Sequence, residues 1–460
     1  MRITALSGFS LMVLSLLQGC AGVTEEVTRP PNIIFIMADD LGYGDLEAYG
    51  QSQIRTPNIN RLANEGVRFT DFYAGSTVCA PSRCVLMTGL HTGHAYIRGN
   101  GKNNLRPEDL TVAELLQQAG YATAQIGKWG LGHEGSTGVP TKKGFDYFFG
   151  YFDQHHAHNY YPSFLLRNEE RVWLENVVPE EGQYHQGVAS KKVDYSYDLM
   201  AQEALKYIEE QEDRPFFLYL PFTIPHANNE AGDRGMEVPD YGSYAEEDWP
   251  EPQKGLAAMI SRMDTDIGQL LDALSVRGLD EETVIFFTSD NGPHAEGGND
   301  PDFFDSNGPL RGIKRALYEG GIRVPMIVRW KGRTPAGAVS DHIGYFGDLM
   351  ATAAELAGLP ETNRFDSISF LPAILGAPES QKEHDYLYWE FYEHGSAQAI
   401  RMGRWKGVRK PMFTGPIELY DLENDLSEEF DVAVDHPEVA GRIDAMMKEA
   451  HVPSELWKID

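Results

Sequence analysis

Cysteine is scarce in this chain: its 460 residues include three, Cys20, Cys79 and Cys84. A disulfide framework needs more cysteines than this, and a zinc site would need further Cys or His ligands close by. A bridge between Cys79 and Cys84 would close a very small loop and stabilise little. Side-chain packing or a chemical role therefore explains the two cysteines in the stretch STVCAPSRCVLMTGLH (76–91) better than a disulfide or a zinc site does.

Long apolar runs and basic residues are also few. After the N-terminus, no stretch approaches the roughly 20 apolar residues of a membrane helix. The chain has 39 Lys and Arg residues against 69 Asp and Glu residues, a formal net charge of −30. This charge argues against nucleic acid or anionic lipid as a partner. An anionic substrate would need a small, locally basic site within an acidic protein.

The first twenty residues, MRITALSGFSLMVLSLLQGC, have the pattern of an export signal, with a basic Arg2 and a short apolar run. The ending LLQGC resembles the lipobox of bacterial lipoproteins, in which Cys20 becomes the lipid-bearing first residue. Gln18 stands where a small residue is usual, so cleavage without lipidation is the alternative. We expect a signal peptide at 1–20 and a tether at 21–31. The protein would be exported, and either periplasmic or anchored to the outer membrane through Cys20.

Short apolar runs, bounded by turn residues, alternate with amphipathic helical segments. Between Leu256 and Leu274 apolar residues recur at a spacing of three and four, which predicts a helix with one buried face. This alternation indicates an α/β fold with a mostly parallel sheet covered by helices on both sides. The four clearest strand candidates are 32–37, 121–126, 215–220 and 283–289.

We expect a large α/β domain at 32–365 and a smaller C-terminal α+β domain at 366–460. In the second domain, the segments SAQAIRMGRWKGVR and PIELYDL are typical of antiparallel strands, and 436–450 of a closing helix. His394, Arg401 and Arg404 could approach a site from this side, although a surface strand explains them equally well.

Each of the four strand candidates is followed by a charged or metal-competent side chain. Ligands of open α/β sheets bind beyond the carboxyl ends of the strands, so these side chains are candidates for one site. Carboxylate and amide oxygens suit Ca²⁺ or Mg²⁺ better than zinc, and a solvated acidic turn is the alternative. The residues concerned are Asp39, Asp40, Lys128, His226, Asp290 and Asn291.

The stretch around Cys79 carries a family resemblance. CAPSR (79–83), followed by LMTG (86–89), resembles the signature C-x-P-S-R-x-x-L-x-T-G of the formylglycine-dependent sulfatases of the alkaline phosphatase-like superfamily. The resemblance extends from about residue 31 to about 433, and indicates a bacterial exported sulfatase. Four further stretches match the family in the right order: ADD (38–40), GKWG (127–130), SDNG (289–292) and YEGGIRVP (318–325).

The resemblance implies that a maturation enzyme oxidises Cys79 to formylglycine, an aldehyde that hydrates to a geminal diol. One hydroxyl would attack sulfur, and the second would then expel sulfate. Arg83 would hold the diol with its fork of donors, and Asp290 could take a proton from the attacking hydroxyl. The implied ligands of Ca²⁺, with Mg²⁺ as the second choice, are Asp39, Asp40, Asp290, Asn291 and the modified Cys79.

The resemblance also assigns the sulfate pocket. Lys128, His226 and Lys314 match residues that bind sulfate and the leaving group, and His226 or Lys314 would protonate the departing oxygen. Many relatives read G-K-W-H-L-G, where the histidine is implicated in sulfate release. This chain has Gly130 at that position and His133 three residues later. His133 is the candidate substitute, and assistance from another group is the alternative.

The loop at 150–165 is the candidate for substrate recognition. Its histidines and tyrosines suit a sugar ring, although an ordered loop with satisfied histidines is an equal alternative. We therefore expect hydrolysis of a sulfate ester on a carbohydrate. The alternatives are a phosphonate or phosphate diester hydrolase of the same superfamily and an inactive glycan-binding relative. The aromatic side chains in question are His155, His156, His158, Tyr160 and Tyr161.

Overall fold

The computed structural model describes residues 29–361 and 364–459. The predicted signal peptide, the lipid anchor at Cys20 and most of the tether lie outside these residues. Within the described ranges, no helix combines the length and hydrophobicity that a membrane span requires. The predicted division between residues 365 and 366 stays a prediction.

Among the residues that the structure describes, ten strands form one large mixed sheet. Its order is β11-β2-β10-β9-β1-β8-β4-β5-β6-β7, and the five strands from β9 to β5 are mutually parallel. A second, two-stranded sheet pairs β3 with β12. The strands of these two sheets are β1 (Asn32–Ala38), β2 (Val67–Phe69), β3 (Phe72–Tyr73), β4 (Ala122–Lys128), β5 (Tyr147–Tyr151), β6 (Phe164–Arg167), β7 (Glu170–Trp173), β8 (Phe216–Pro221), β9 (Thr283–Ser289), β10 (Met326–Trp330), β11 (Ala338–Ser340) and β12 (Gly344–Tyr345).

The four predicted strands are β1, β4, β8 and β9, and they lie side by side at the centre of the sheet. Successive side chains of a strand point to opposite faces. In β1, Phe35 joins the hydrophobic core on one face, and Ile34 and Ile36 join the core on the other. Because both faces are covered, β1, β8 and β9 are almost continuously apolar, which makes them recognisable in the sequence, whereas β4 also contains Thr123 and Gln125.

Helices cover both faces of the large sheet, as predicted. The segment from Leu256 to Leu274 lies in the long helix α5, and its apolar stripe is buried. Leu116 and Leu349 pack into the core on the Phe35 face of the sheet, and Met200 and Met259 pack into the core on the Ile34 face. The helices are α1 (Pro57–Glu65), α2 (Cys79–Thr88), α3 (Val112–Gln118), α4 (Ser196–Glu209), α5 (Glu251–Val276), α6 (Glu319–Ile322), α7 (Asp348–Leu356), α8 (Leu371–Ile374) and α9 (Pro437–Ala450).

The C-terminal part is an antiparallel sheet with a covering helix. Its strands are β13 (Leu387–Phe391), β14 (Ala397–Met402), β15 (Trp405–Arg409) and β16 (Ile417–Asp421), in that order. Ile400 and Leu419 pack against Ile443 and Met447 of α9. The other face packs on the large domain, where Trp389 donates a hydrogen bond to the Ala74 carbonyl at 2.9 Å.

Candidate active site

The carboxyl ends of β1, β4, β8 and β9 converge on one buried cluster of polar side chains. Asp39 and Asp40 follow β1, and Asp40 has a φ of +65°, so the chain leaves strand geometry there. This turn brings both carboxylates to the same cluster, whereas adjacent residues of a regular strand would point to opposite faces. Asp290 and Asn291 follow β9, and the Asp290 carboxylate accepts a hydrogen bond from the Asp40 amide at 3.1 Å.

Cys79 is the first residue of helix α2, and its side chain lies at the same cluster. Its Sγ is 3.4 Å from Oδ1 of Asp39. The residue is only 3% exposed, and burial together with the Asp290 carboxylate raises the pKa of the thiol well above its usual value. Pro81 is compatible with the first turn of a helix. Cys84, on the same helix, lies in the hydrophobic core, and both cysteines are free thiols.

Arg83 and Lys128 hold two of the carboxylates. Arg83 donates from Nε and Nη2 to the Asp290 carboxylate at 3.1 and 2.7 Å, and its Nη2 is 3.3 Å from Asp39. Lys128 Nζ lies 2.7 Å from Asp39. Burial disfavours the charge on Asp39, but Lys128 and Arg83 hold the pKa of this carboxyl well below its usual range.

The donor set fits a hard divalent cation. Asn291 donates from Nδ2 to Asp40 at 2.7 Å, whereas its Oδ1 is buried without a hydrogen-bond partner among the described residues. Burial and the nearby Asp39 carboxylate raise the pKa of Asp290 to about 7. An orphaned amide oxygen beside three crowded carboxylates is the environment that Ca²⁺ or Mg²⁺ stabilises.

The opposite wall of the cluster holds His226 and Lys314. His226 donates from Nδ1 to the Ala227 carbonyl at 2.6 Å, so its Nε2 faces Lys314 Nζ at 3.2 Å. Lys314 Nζ also contacts Asp40 at 2.7 Å. Both side chains are almost fully buried. Arg83, Lys128 and Lys314 give the acidic protein the buried cationic groups that an anionic substrate needs, whereas burial and the Lys314 charge lower the pKa of His226 well below its usual value, so its ring is neutral.

The histidines of the 150–165 loop lie in different environments. The ring of His158 stacks on His226 with 4.9 Å between centroids, and its Nδ1 is 3.4 Å from Glu230. His155 is more exposed and pairs with Asp153. His156 is 3% exposed and packs against Tyr151 and Phe164, away from solvent. Only part of the loop is therefore available to a substrate.

Comparison with known protein families identifies the chain. A family model described as Sulfatase matches residues 31–359. The chain belongs to the sulfatase family. A second model, described as N-sulphoglucosamine sulphohydrolase, C-terminal, matches residues 312–452 of this sulfatase. The sulfatase is therefore a sulfuric ester hydrolase, and the family, fold class and enzyme class predicted from the sequence are confirmed.

Individual relatives agree with the family match. The sulfatase is 32% identical to the N-acetylgalactosamine-6-sulfatase of Canis lupus familiaris, over 88% of this chain and 76% of the relative. It is also 32% identical to arylsulfatase A of Homo sapiens, over 86% and 77% of the two chains. The crystal structure of Ps i-CgsB in complex with k-i-k-neocarrahexaose is similar, with a TM-score of 0.76, 28% identity and 92% of each chain covered.

Gly130 and His133 of the sulfatase contact different residues. Gly130 has a φ of +80°, and a Cβ there would lie 3.7 Å from Cδ of Arg83. His133 pairs with Asp153 at 2.8 Å and is about one-third exposed. It thus shares a carboxylate with His155, whose ring centroid lies 5.6 Å from that of His158, and its predicted part in sulfate release stays a prediction.

The tyrosines of the 150–165 loop and two of the three C-terminal candidates are held by other parts of the protein. Tyr160 and Tyr161 of the sulfatase are buried, so neither ring offers an open face to a sugar. Arg401 of β14 donates a hydrogen bond to the hydroxyl of Tyr73 in β3 at 2.7 Å. Arg404 pairs with Asp421. These two arginines therefore have structural partners. His394 directly follows Glu393, and the Glu393 carboxylate is 3.9 Å from Arg315, the residue next to Lys314.

Sequence reasoning missed two carboxylates of the sulfatase pocket. Glu296 lies 3.2 Å from Lys314 Nζ, and Glu230 pairs with His158. Glu296 follows Asp290 by six residues on the same loop, and this proximity is the signal that could have drawn attention to it.

Proposed function

We propose that this sulfatase hydrolyses a sulfate ester on a carbohydrate and releases inorganic sulfate. The nucleophile would be formylglycine, made from Cys79, next to a bound divalent cation. The observation that carries the proposal is the position of Cys79 at the start of α2, with its Sγ 3.4 Å from Asp39. A helix N-terminus favours an anion, so the sulfate group would lie where the backbone amides point.

Formylglycine would supply two hydroxyls on one carbon, one to displace the alcohol and one to expel sulfate. Arg83 would orient these hydroxyls, since its guanidinium already links Asp39 with Asp290. Asp290 would accept the proton of the attacking hydroxyl. Lys128, at the end of β4, would donate hydrogen bonds to sulfate oxygens.

A divalent cation would polarise the sulfate oxygens and lower the pKa of the attacking hydroxyl. Asp39, Asp40, Asp290 and Asn291 would hold it, together with residue 79. Three carboxylates and the orphaned Asn291 Oδ1 support this ligand set. Ca²⁺ is preferred over Mg²⁺ because all four side chains offer oxygens and most of them are carboxylates.

His226 and Lys314 would serve the leaving group. Their Nε2 and Nζ atoms face each other across 3.2 Å on the wall opposite Lys128. A proton held between them could pass to the departing sugar oxygen. His158, stacked on His226, would then contact the sugar and not the sulfate.

A sulfated glycan is the proposed substrate class. Relatives of about one-third identity are named for N-acetylgalactosamine 6-sulfate, and one solved relative was crystallised with a neocarrahexaose. His155, whose ring neighbours that of His158, and His133, which shares Asp153 with it, are partly exposed and suit recognition of hydroxyl groups. Export through the 1–20 segment, a lipid anchor at Cys20 and a separate maturation enzyme complete the proposal.

The test compares the two buried cysteines of α2. Coexpressed with a maturing enzyme, the peptide that carries residue 79 should lose the mass expected for conversion of thiol to aldehyde. Cys79→Ala should abolish turnover of 4-nitrophenyl sulfate, whereas Cys84→Ala, the matched control, should retain it. Near wild-type turnover by Cys79→Ala would reject the formylglycine mechanism. Faster turnover of a phosphonate ester than of any sulfate ester would reject the proposed substrate.

A further inference from the structure

Glu296 adjoins the proposed leaving-group pair, His226 and Lys314. Its Oε2 lies 3.2 Å from Lys314 Nζ and 4.0 Å from His226 Nε2. Asp40 contacts the same two atoms, at 2.7 and 3.4 Å. Lys314 and His226 therefore each contact two carboxylates, Asp40 and Glu296, which have oxygens within 4.8 Å of each other.

The loop that carries Glu296 is fixed at this place. The His294 ring accepts a hydrogen bond from the Glu296 amide at 3.0 Å and donates one to the Pro225 carbonyl at 3.1 Å. Pro225 directly precedes His226. The Glu296 backbone is thus tied to the backbone of the leaving-group histidine, which is the positioning that a specificity residue needs.

Glu296 is partly open to solvent, with 18% of its side chain exposed. A carboxylate has about four lone-pair sites, and two contacts use part of this capacity. Lys314 holds one oxygen, and Arg315 Nη1 lies 2.5 Å from the other. Glu296 therefore keeps acceptor capacity, and its partial exposure leaves that capacity open to a substrate hydroxyl.

Arg315 does not offer a free cation to a second anion. It pairs with Glu296 and lies 3.9 Å from Glu393 of the C-terminal part. Lys314 is likewise held between Asp40 and Glu296. A second sulfate on this side of the substrate would have to displace a carboxylate and would meet its negative charge.

We infer that Glu296 determines which sulfated sugar the pocket accepts. Its carboxylate accepts a hydrogen bond from the ring hydroxyl nearest the scissile sulfate, and it excludes sugars that carry a second sulfate or a carboxylate at that place. The inference rests on the proposed function, because it needs the sulfate at residue 79 and the sugar beyond His226. Selectivity of this kind combines an attractive contact with a repulsive one.

The experiment compares three probes: 4-nitrophenyl sulfate, N-acetylgalactosamine 6-sulfate and N-acetylgalactosamine 4,6-disulfate. The axial O4 is the ring hydroxyl nearest the 6-sulfate, so the two sugars differ at the atom that Glu296 would contact. Glu296→Gln should raise KM for the monosulfate about tenfold, because a hydrogen bond to a charged acceptor is lost. The aryl sulfate, which has no such hydroxyl, should change less than about threefold.

Glu296→Gln should also raise the relative kcat/KM for the disulfate over the monosulfate by about tenfold, because the repulsion is removed. Glu393→Gln is the matched control, since it removes an equal charge from the other partner of Arg315. Its ratio for the two sugars should stay within about twofold of wild type.

Two failures are distinguishable. If wild type with formylglycine at residue 79 turns over none of the three probes, the proposed function fails. If wild type hydrolyses the aryl sulfate but neither sugar, or if Glu296→Gln slows aryl sulfate and monosulfate equally, the inference fails while the proposed function stands. If Glu296→Gln slows both substrates equally, the role of Glu296 is only to position Lys314.

Discussion

Asn291 presents a buried amide oxygen that has no hydrogen-bond partner in the described part of the chain, and it lies beside Asp39, Asp40 and Asp290. An unsatisfied buried acceptor of this kind is unfavourable by about 1–3 kcal/mol, and a bound cation would remove the penalty. Asn291→Ala should therefore weaken Ca²⁺ binding by orders of magnitude and abolish most turnover. Metal content by mass spectrometry and the rise in Tm on adding Ca²⁺ measure the effect.

Asn299→Ala is a matched control for this prediction. Asn299 also buries an Oδ1 without a partner among the described residues, but its Nδ2 donates to the His294 carbonyl outside the carboxylate cluster. This variant should keep the Ca²⁺-dependent rise in Tm. Full turnover of wild type after exhaustive chelation, or stoichiometric zinc in the pure protein, would contradict the assigned ligand set.

Much of the site could be predicted from the sequence because its residues follow strands. Asp39, Lys128, His226 and Asp290 come after apolar runs or motifs of fixed spacing, and adjacent parallel strands bring such residues together. Glu296 and Glu230 could not be predicted in this way. Their loops lack a periodic pattern, and contacts such as that between His294 and Pro225 set their path.

The short 3-10 helix His156–His158 shows the limit of sequence reasoning at the scale of an element. Its two histidines are two residues apart, yet one is enclosed by aromatic rings and the other stacks on His226. Nothing in the local sequence separates them, because the difference comes from which side of the helix meets Phe164. The short strands β2, β3 and β12 were missed for a similar reason, since two or three residues carry no readable alternation.

This difference predicts opposite effects for two neighbouring substitutions. His158→Ala removes the ring stacked on His226 and should raise KM for a sulfated saccharide several-fold, with a smaller loss of stability than His156→Ala because 11% of the His158 side chain is exposed. His156→Ala empties a buried position and should lower the free energy of unfolding by about 2–4 kcal/mol, while KM changes little. Steady-state kinetics and urea unfolding of both variants measure these effects. Equal kinetic effects would contradict the division of the loop.

At the scale of the whole molecule, a buried charge cluster joins the C-terminal sheet to helix α6. Lys406 of β15 contacts Glu319 of α6 at 2.7 Å and Glu428 at 3.6 Å, and Glu428 accepts a hydrogen bond from the Glu319 amide. Burial raises the pKa of Glu428 to about 7, with help from the Glu319 charge and against the attraction of Lys406. Two carboxylates share one lysine here, so one of them favours its protonated form.

The raised pKa of Glu428 makes stability depend on pH. Folding favours the protonated carboxyl, so its contribution is complete below about pH 4.5 and is lost as pH rises through 7. Glu428→Gln imitates the protonated form. Its stability relative to wild type should therefore increase by up to about 3 kcal/mol between pH 5 and pH 8. Thermal unfolding at the two pH values measures the difference. The exposed Glu423→Gln should show none, and an unchanged difference for Glu428→Gln would contradict the prediction.

The depth of Cys79 has a consequence for the order of events in the life of the chain. Every residue of helix α2 is buried, so no second protein could reach this side chain after the sheet and helices have closed around it. Under the proposed mechanism, conversion of residue 79 would therefore compete in time with folding itself. A chain that folds first would remain a stable, inactive thiol form. The fraction of active molecules in a preparation would therefore measure how often conversion preceded folding.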